Sequence, residues 1–150
     1  MKRILTIGIA ALALVFSSCK KDGTSTGPSI KATIDGAAWS ANVRVATKYS
    51  DKFVINGSAL SGSSLIVTVN GTSVGTYNLA LTAFDCSAAY TKSVSEPIPY
   101  ASITGTVTIS KVDATNKKVS GTFEFSMLRN LSDNIQITKG SFTDIAYTEI

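Results

Sequence analysis

Histidine is absent from the 150 residues of this chain, and cysteine, proline and tryptophan are scarce. The lack of histidine excludes the usual serine and cysteine triads, imidazole-bound zinc or iron, and the commonest general base near neutral pH. Any catalysis would have to use paired carboxylates, a lysine or a tyrosine. The composition therefore favours a protein without enzymatic activity.

Long apolar runs are also rare, and the clearest one lies at the N-terminus. Lys2 and Arg3 precede a segment, Ile4 to Phe16, in which every residue is apolar or small. The segment has the length of the apolar region of a secretory signal and falls well short of the roughly 20 residues that span a bilayer. It also lacks a recurring polar face, which excludes a soluble amphipathic helix. The sequence predicts an exported protein.

The end of this run suggests a more specific processing event. The sequence Phe16-Ser17-Ser18-Cys19 resembles the lipobox of bacterial lipoproteins, with phenylalanine where leucine is usual. That resemblance implies cleavage between Ser18 and Cys19, a diacylglycerol thioether on the Cys19 sulfur and an acyl group on its new amine. The alternative is an ordinary secreted protein, cut after the small serines, in which the cysteine occurs by chance.

Three segments follow from this interpretation: a signal peptide at 1–18, a lipidated cysteine with a flexible tether at 19–30, and one β domain at 31–150. The tether is rich in Gly, Ser and Thr and contains Pro28. Without residues 1–18, 12 cations face 10 anions, a formal charge of +2. With no basic stripe interleaved with aromatics, nucleic acid is not an expected partner. Lipidation of Cys19 leaves Cys86 without a disulfide partner.

The remaining sequence alternates as β-strands do. Leu65, Val67 and Val69 alternate with polar or outward residues. The segments 101–110 and 119–127 show the same alternation, and together they predict a hairpin. Turns are predicted at Asp35-Gly36, Asn70-Gly71 and Gly140-Ser141. Repeated turn signals and hydroxyl-rich faces predict an all-β fold, a single antiparallel β-sandwich. A small up-and-down β-barrel like that of lipocalins is the alternative, and it stays open at this point.

Four segments together resemble a Bacteroidetes-type lipoprotein family, an all-β domain of unknown function usually found behind a lipoprotein signal. They are "KATIDGAAWSA", "GTYNL", "KKVSGTFEFSM" and "IQITKGSFTDIAY". The family implies a lipid anchor and a β fold but brings no catalytic or binding residues. An outer-membrane address is also implied, because no aspartate directly follows Cys19. The residues Lys20-Lys21-Asp22 leave the periplasmic or outer face undecided.

A few other side chains were candidates for chemistry. Cys86 follows an acid and is interpreted as a structural thiol. Trp39 is expected in core or lid packing, with a stacking platform for sugar as the alternative. Three tyrosines would suit carbohydrate or peptide contacts but are also ordinary on β-surfaces: Tyr90, Tyr100 and Tyr147. Whether the loop aspartates gather at one end would decide a calcium site, and these are Asp35, Asp51, Asp85, Asp113 and Asp133.

The expected function is that of an outer-membrane-anchored lipoprotein acting as a binding, adaptor or structural module, with no catalytic residues and no metal site. The covalent lipid on Cys19 is the only expected prosthetic group, and membrane lipid is the expected partner through that anchor. No protein or glycan partner is identified by the residues. Two alternatives remain: a carrier of lipid or another small ligand in a β-barrel cavity, and an envelope polysaccharide hydrolase with paired carboxylates.

Overall fold

The computed structural model describes residues 27–150. The predicted signal peptide, the Ser18–Cys19 cleavage site and residues 19–26 of the predicted tether lie outside this range. Within it the chain forms eleven β-strands and no helix, which confirms the all-β class. Accordingly, the described part of the chain contains no apolar helix of the length that crosses a membrane.

The strands follow in this order: β1 (Ser29–Ile34), β2 (Ala37–Ser40), β3 (Val43–Lys48), β4 (Phe53–Ser58), β5 (Ser64–Val69), β6 (Gly75–Ala80), β7 (Ala83–Phe84), β8 (Cys86–Thr91), β9 (Tyr100–Asp113), β10 (Lys118–Asn130) and β11 (Asp133–Glu149). β1 starts inside the predicted tether, and Ile30 is buried in the core. The first strand therefore begins two residues before the predicted start of the β domain at residue 31.

All eleven strands belong to one continuous sheet, which can be divided into two stretches. One stretch has the order β2-β1-β11-β10-β9-β6-β7 and the other has the order β3-β4-β5-β8, and we call these two stretches the layers. They are joined where β8 pairs with the start of β9 at Tyr100, and where β3 pairs with the end of β11 at Tyr147. Because these joints lie at opposite ends of the long β9–β10–β11 meander, the hydrogen-bonded path closes into a ring, as in sandwiches whose strands turn corners.

The wholly antiparallel arrangement is wrong at one pairing. β11 and β3 run parallel, with Tyr147 opposite Ala46. β5 pairs with β8 and not with β6, the next strand along the chain, so the up-and-down strand order of the barrel alternative is wrong, whereas the closed ring of pairings fits a barrel-like sheet as well as a sandwich. The chain bends at Asn70-Gly71 as predicted, but this bend leads into a connection between β5 and β6, which do not pair with each other.

The alternation on the central strands is confirmed. Leu65, Val67 and Val69 are buried, and the hairpin of β9 and β10 buries Val107 and Phe123. The interior is filled by side chains with almost no exposed surface, among them Phe53, Phe123, Phe125, Phe142, Ile137 and Met127. Burial of this kind contributes about 25 cal/mol per Å² of apolar area.

The predicted turn at Gly140-Ser141 is wrong, since β11 continues through it. Two of the three irregularities in its pairing with β10 lie near Lys139 and Asp144, both with positive φ (50° and 47°). Each extra residue shifts the buried positions by one, so Ile137, Phe142 and Ile145 all face the core. Gly140 is needed because its missing side chain leaves room for the Phe123 ring. The glycine thus marks a close approach within a strand.

Candidate functional site

Three of the aromatic residues selected from the sequence converge at one end of the sandwich. Trp39, Tyr90 and Tyr100 line the same cleft, whereas Tyr147 lies at the opposite end. We call their side the open end; it comprises the turns and loops at residues 35–36, 59–63, 92–99 and 131–132. The closed end comprises residues 49–52, 114–117 and 147–149.

The β1–β2 hairpin positions Trp39. Asp35 and Gly36 both adopt positive φ (49° and 81°), as a two-residue turn between twisted strands requires, so the predicted Asp-Gly turn is confirmed. Trp39 pairs with Ala32 and shares its inward face. The indole Nε1 donates a hydrogen bond to Ser63 Oγ at 2.8 Å, across to the other layer. Trp39 therefore bridges the two layers, as the packing interpretation expects, and the part of its ring that stays exposed is compatible with the stacking alternative as well.

A bulge in β9 aims Tyr100 into the same space. Ser102 pairs with Met127 and Thr104 with Ser126, so Ile103 has no partner on β10. This extra residue explains why Ile103 is half exposed although the sequence pattern placed it on the core face. Tyr100, on the other side of the bulge, points inward and lies opposite Tyr90 of β8, with ring centroids 6.2 Å apart.

Arg129 holds the outer side of this cluster. Its Nε donates to Asp133 Oδ2 at 2.7 Å and its Nη1 to Glu96 Oε2 at 2.9 Å. The guanidinium carbon lies 4.8 Å from the centroid of the Tyr100 ring, and the Tyr100 hydroxyl donates to Asp133 Oδ1 at 2.9 Å. The sequence offered no signal for this group, because the β8–β9 loop and the β10–β11 turn meet only in the folded chain.

The carboxyl groups of this cluster are held in their ionised form. The hydrogen bond from Arg129 is the main cause of the lowered pKa of Glu96, and the hydrogen bond from Tyr100, followed by that from Arg129, lowers the pKa of Asp133. A glycosidase of the paired-carboxylate type needs one carboxyl that keeps its proton near neutral pH. We therefore interpret Glu96 and Asp133 as structural residues, which join the β8–β9 loop to the β10–β11 hairpin through Arg129.

The cleft itself has a volume of about 280 Å³. Its floor consists of buried side chains and its rim of exposed ones. Asp35 and Lys92 give the rim one negative and one positive charge, at its two sides on different layers. The lining comprises Ile34, Asp35, Ala37, Ala38, Trp39, Tyr90, Lys92, Tyr100 and Ile135. We call this space the end cleft.

Exposed apolar side chains lie on three separate loops of the open end. Leu60, Val94, Ile98 and Leu131 are each at least 65% exposed. The 92–99 loop contacts the 59–63 loop, where Val94 lies against Gly62, and the end of β10, where Glu96 accepts a hydrogen bond from Arg129. Apolar loop tips grouped at one end of a protein are typical of surfaces that meet a partner.

The loop aspartates do not gather in one place. Asp35 and Asp133 lie at the open end, whereas Asp51, Asp85 and Asp113 lie toward the closed end. Asp113 caps its own turn by accepting hydrogen bonds from Asn116. Among residues 27–150 no group of three or more His, Cys, Asp or Glu side chains is placed to hold a metal ion.

Cys86 is buried at the start of β8, where its sulfur donates a hydrogen bond to the Tyr77 carbonyl oxygen at 3.3 Å. Burial is the main cause that raises the pKa of this thiol, to about 11. The thiolate is therefore scarce at neutral pH, and the residue serves packing.

Comparison with known proteins identifies one family. A family model described as Domain of unknown function (DUF6252) matches residues 26–146. No curated protein and no solved structure matches the chain. The match covers nearly all of the described strands and agrees with the resemblance to an all-β domain of unknown function. The chain therefore belongs to the DUF6252 family.

Proposed function

We propose that this protein is a lipoprotein of the cell envelope, anchored to the outer membrane through Cys19, whose β domain binds a ligand without catalysing a reaction. In this proposal residues 1–18 are a cleaved signal peptide. Cys19 carries diacylglycerol and an N-linked acyl chain such as palmitate. The membrane face, periplasmic or outer, is left open.

The anchor is supported by the sequence Phe16-Ser17-Ser18-Cys19 at the end of the apolar run. One acyl chain gives weak, reversible membrane binding, since each buried methylene contributes about 0.8 kcal/mol, while two or three chains give a lasting anchor. An aspartate directly after the lipidated cysteine would favour retention in the inner membrane. Lys20 stands at that position here, which supports the assignment to the outer membrane.

The observation that carries the binding role is the end cleft at the open end. β1 starts at Ser29, pairs there with Thr143, and runs toward the open end, where it turns at Asp35. The chain thus enters the fold on the far side from the end cleft. A tether attached before Ser29 would leave the open end directed away from the anchor, toward partners.

The filled interior weighs against a carrier of lipid chains. The space between the layers is occupied by Phe53, Phe123 and Phe125, each at most 2% exposed, and the end cleft is too small for an acyl chain with its headgroup. The ionised state of Glu96 and Asp133 weighs against a hydrolase. Of the three classes considered, a carrier, a hydrolase and a binding module, these two observations favour the binding module.

Replacement of the lipidated cysteine tests the anchor. Cys19→Ala is expected to move the protein from the outer-membrane pellet to the soluble fraction after cell lysis, because no thioether can form. Cys86→Ala, which changes the other cysteine, is the matched control and is expected to stay in the pellet. If Cys19→Ala still sediments with the outer membrane, or if mass spectrometry shows residue 19 unacylated in the wild type, the anchor is refuted.

A further inference from the structure

We propose that the end cleft binds one ring of a neutral saccharide, with the ring packed on the exposed part of Trp39 above the buried tyrosine floor. This inference rests on the proposed binding role and adds the class of ligand. It depends on three properties of the cleft: fixed aromatic walls, rim charges of both signs, and a volume that suits a single ring.

The aromatic walls are held in place by contacts outside the cleft. Trp39 is fixed through its N–H on Ser63, and Tyr100 through its hydroxyl on Asp133 and through Arg129 against its ring. A ligand therefore meets surfaces that need no ordering, which lowers the entropic cost of binding. The C–H faces of a sugar ring are apolar and carry a slight positive charge, so they pack favourably on the negative faces of aromatic rings.

The rim charges select for a ligand without net charge. The Asp35 carboxylate accepts hydrogen bonds and the Lys92 ammonium donates them, and both side chains are exposed at the mouth. Sugar hydroxyls do both, so they can bond to either group. Because Asp35 and Lys92 carry opposite charges, these two rim groups have no net charge that would favour an anion or a cation.

The volume limits the ligand to roughly one ring. A cavity of 280 Å³ has space for about nine waters at the volume each occupies in the liquid. This is just below the usual range of about 300–1,000 Å³ for drug-sized ligands. Further rings of an oligosaccharide would extend past the exposed Ala37 and Ala38 into solvent.

A zwitterionic peptide terminus is the competing ligand. Its amine could pair with Asp35 and its carboxylate with Lys92, while an apolar side chain entered the cleft. We favour the saccharide because the short β1–β2 turn and the exposed alanines leave the cleft open to solvent, where a polar ring keeps its outer hydroxyls hydrated. The test below includes both classes.

Trp39 provides the signal for the experiment, since it is the only tryptophan in the chain. The full chain, purified in detergent, is titrated with cellotetraose, maltotetraose and diacetylchitobiose, and separately with a phenylalanine-containing dipeptide. We expect a saturable change in Trp39 fluorescence with at least one of the sugars at millimolar concentration or below, and none with the dipeptide.

Two rim variants locate the site. Asp35→Asn keeps a residue type that tolerates positive φ, and Lys92→Gln keeps the length of the side-chain stem. Each is expected to weaken sugar affinity about tenfold, the typical effect of losing a hydrogen bond to a charged group. The matched closed-end controls, Asp51→Asn and Lys52→Gln, are expected to bind as the wild type does.

Each outcome decides the proposal. Saturation by a sugar that both rim variants weaken supports it. Saturation by the dipeptide alone, no saturation by any of these compounds, or equal loss in the closed-end controls overturns it. The membrane fractionation of Cys19→Ala is independent of this titration, so failure of the ligand assignment is distinguishable from failure of the anchor.

Discussion

The open and closed ends of the sandwich both contain an aromatic pair and a cluster of ion pairs, but in different arrangements. Each has an aromatic pair inside: Tyr90 with Tyr100 at the open end, and Phe53 with Tyr147 at the closed end. The closed-end rings meet edge to face at 5.3 Å and fill their end. The open-end rings are tilted and 6.2 Å apart, and they form the floor of the end cleft.

The ion pairs differ in the same way. At the closed end Glu149 of β11 binds Lys48 of β3 and Lys117 of the β9–β10 turn, which ties two strands and a turn together at the surface. At the open end Arg129 binds Glu96 and Asp133, and this group supports a loop beside the end cleft. Clusters of ion pairs therefore occur at both ends, but they join filled elements at the closed end and fix a loop beside a cleft at the open end. This difference is the reason for assigning ligand binding to the open end.

The largest expected effect comes from removing the aromatic filling of the closed end. Phe53→Ala deletes a ring that is fully buried, so we expect a loss of about 3–5 kcal/mol in the free energy of unfolding. Urea denaturation measures it. The exposed Phe84→Ala is the control and is expected to change stability by about 0.5 kcal/mol or less. A cost below about 1 kcal/mol for Phe53→Ala would mean that the closed end is not filled.

Thiol reactivity provides a second test of the closed end. In the Cys19→Ala chain, Cys86 is the only cysteine. Because burial raises its pKa to about 11, we expect its reaction with a disulfide reagent at pH 8 to be about a hundredfold slower than that of an ordinary thiol. Denaturant is expected to restore the ordinary rate. Fast labelling of the native protein would contradict the packing of this end.

At the open end, Ser63→Ala is expected to cost about 1–2 kcal/mol. The change removes the acceptor of the Trp39 N–H, and a partly buried donor without a partner is destabilising. Denaturation followed by Trp39 fluorescence measures both the cost and any change in the ring's surroundings. Ser87→Ala, at an exposed position of β8, is the control. Equal stability of the two variants would show that Trp39 is not anchored to the second layer.

The smallest effect is expected for Glu149. The hydrogen bonds from Lys117 and then Lys48 lower its pKa from the ordinary 4.5 to about 2. A lowered carboxyl pKa adds stability above the unfolded value, and this part is lost as pH falls from about 4.5 to about 2. Because the pair is solvent-exposed, we expect Glu149→Gln to shift the unfolding midpoint only slightly, and less in high salt. An NMR titration that places the Glu149 carboxyl at its ordinary pKa would contradict the network.

Local features of the fold were predictable from the sequence, and long-range ones were not. The Asp35-Gly36 turn and the alternation of Leu65, Val67 and Val69 depend on neighbouring residues, and both are confirmed. The parallel β3–β11 pairing depends on residues about a hundred positions apart. The sequence predicts a turn at Gly140 because glycine is common in turns, and only the folded chain shows that this glycine is required by the neighbouring Phe123 ring.

The candidate site was predictable only in part. The sequence identifies Tyr90 and Tyr100 as residue types suited to sugar or peptide, and it predicts packing for Trp39 with a sugar platform as the alternative. That the three meet depends on the β9 bulge at Ile103, where one unpaired residue reverses the inward face. Arg129 and Lys92 carried no recognisable motif. The positions of these two residues beside the cleft depend on loops that meet at the open end only after folding.

The location of the ligand is the most direct test of the difference between the ends. Amide shifts of the isotope-labelled full chain are recorded by NMR in detergent while the sugar that saturates the Trp39 signal is added. We predict that the shifted signals cluster at Asp35 to Trp39, Tyr90 to Lys92 and Tyr100. Shifts centred on Lys48, Lys117 and Glu149, or none at all, would contradict the assignment of binding to the open end.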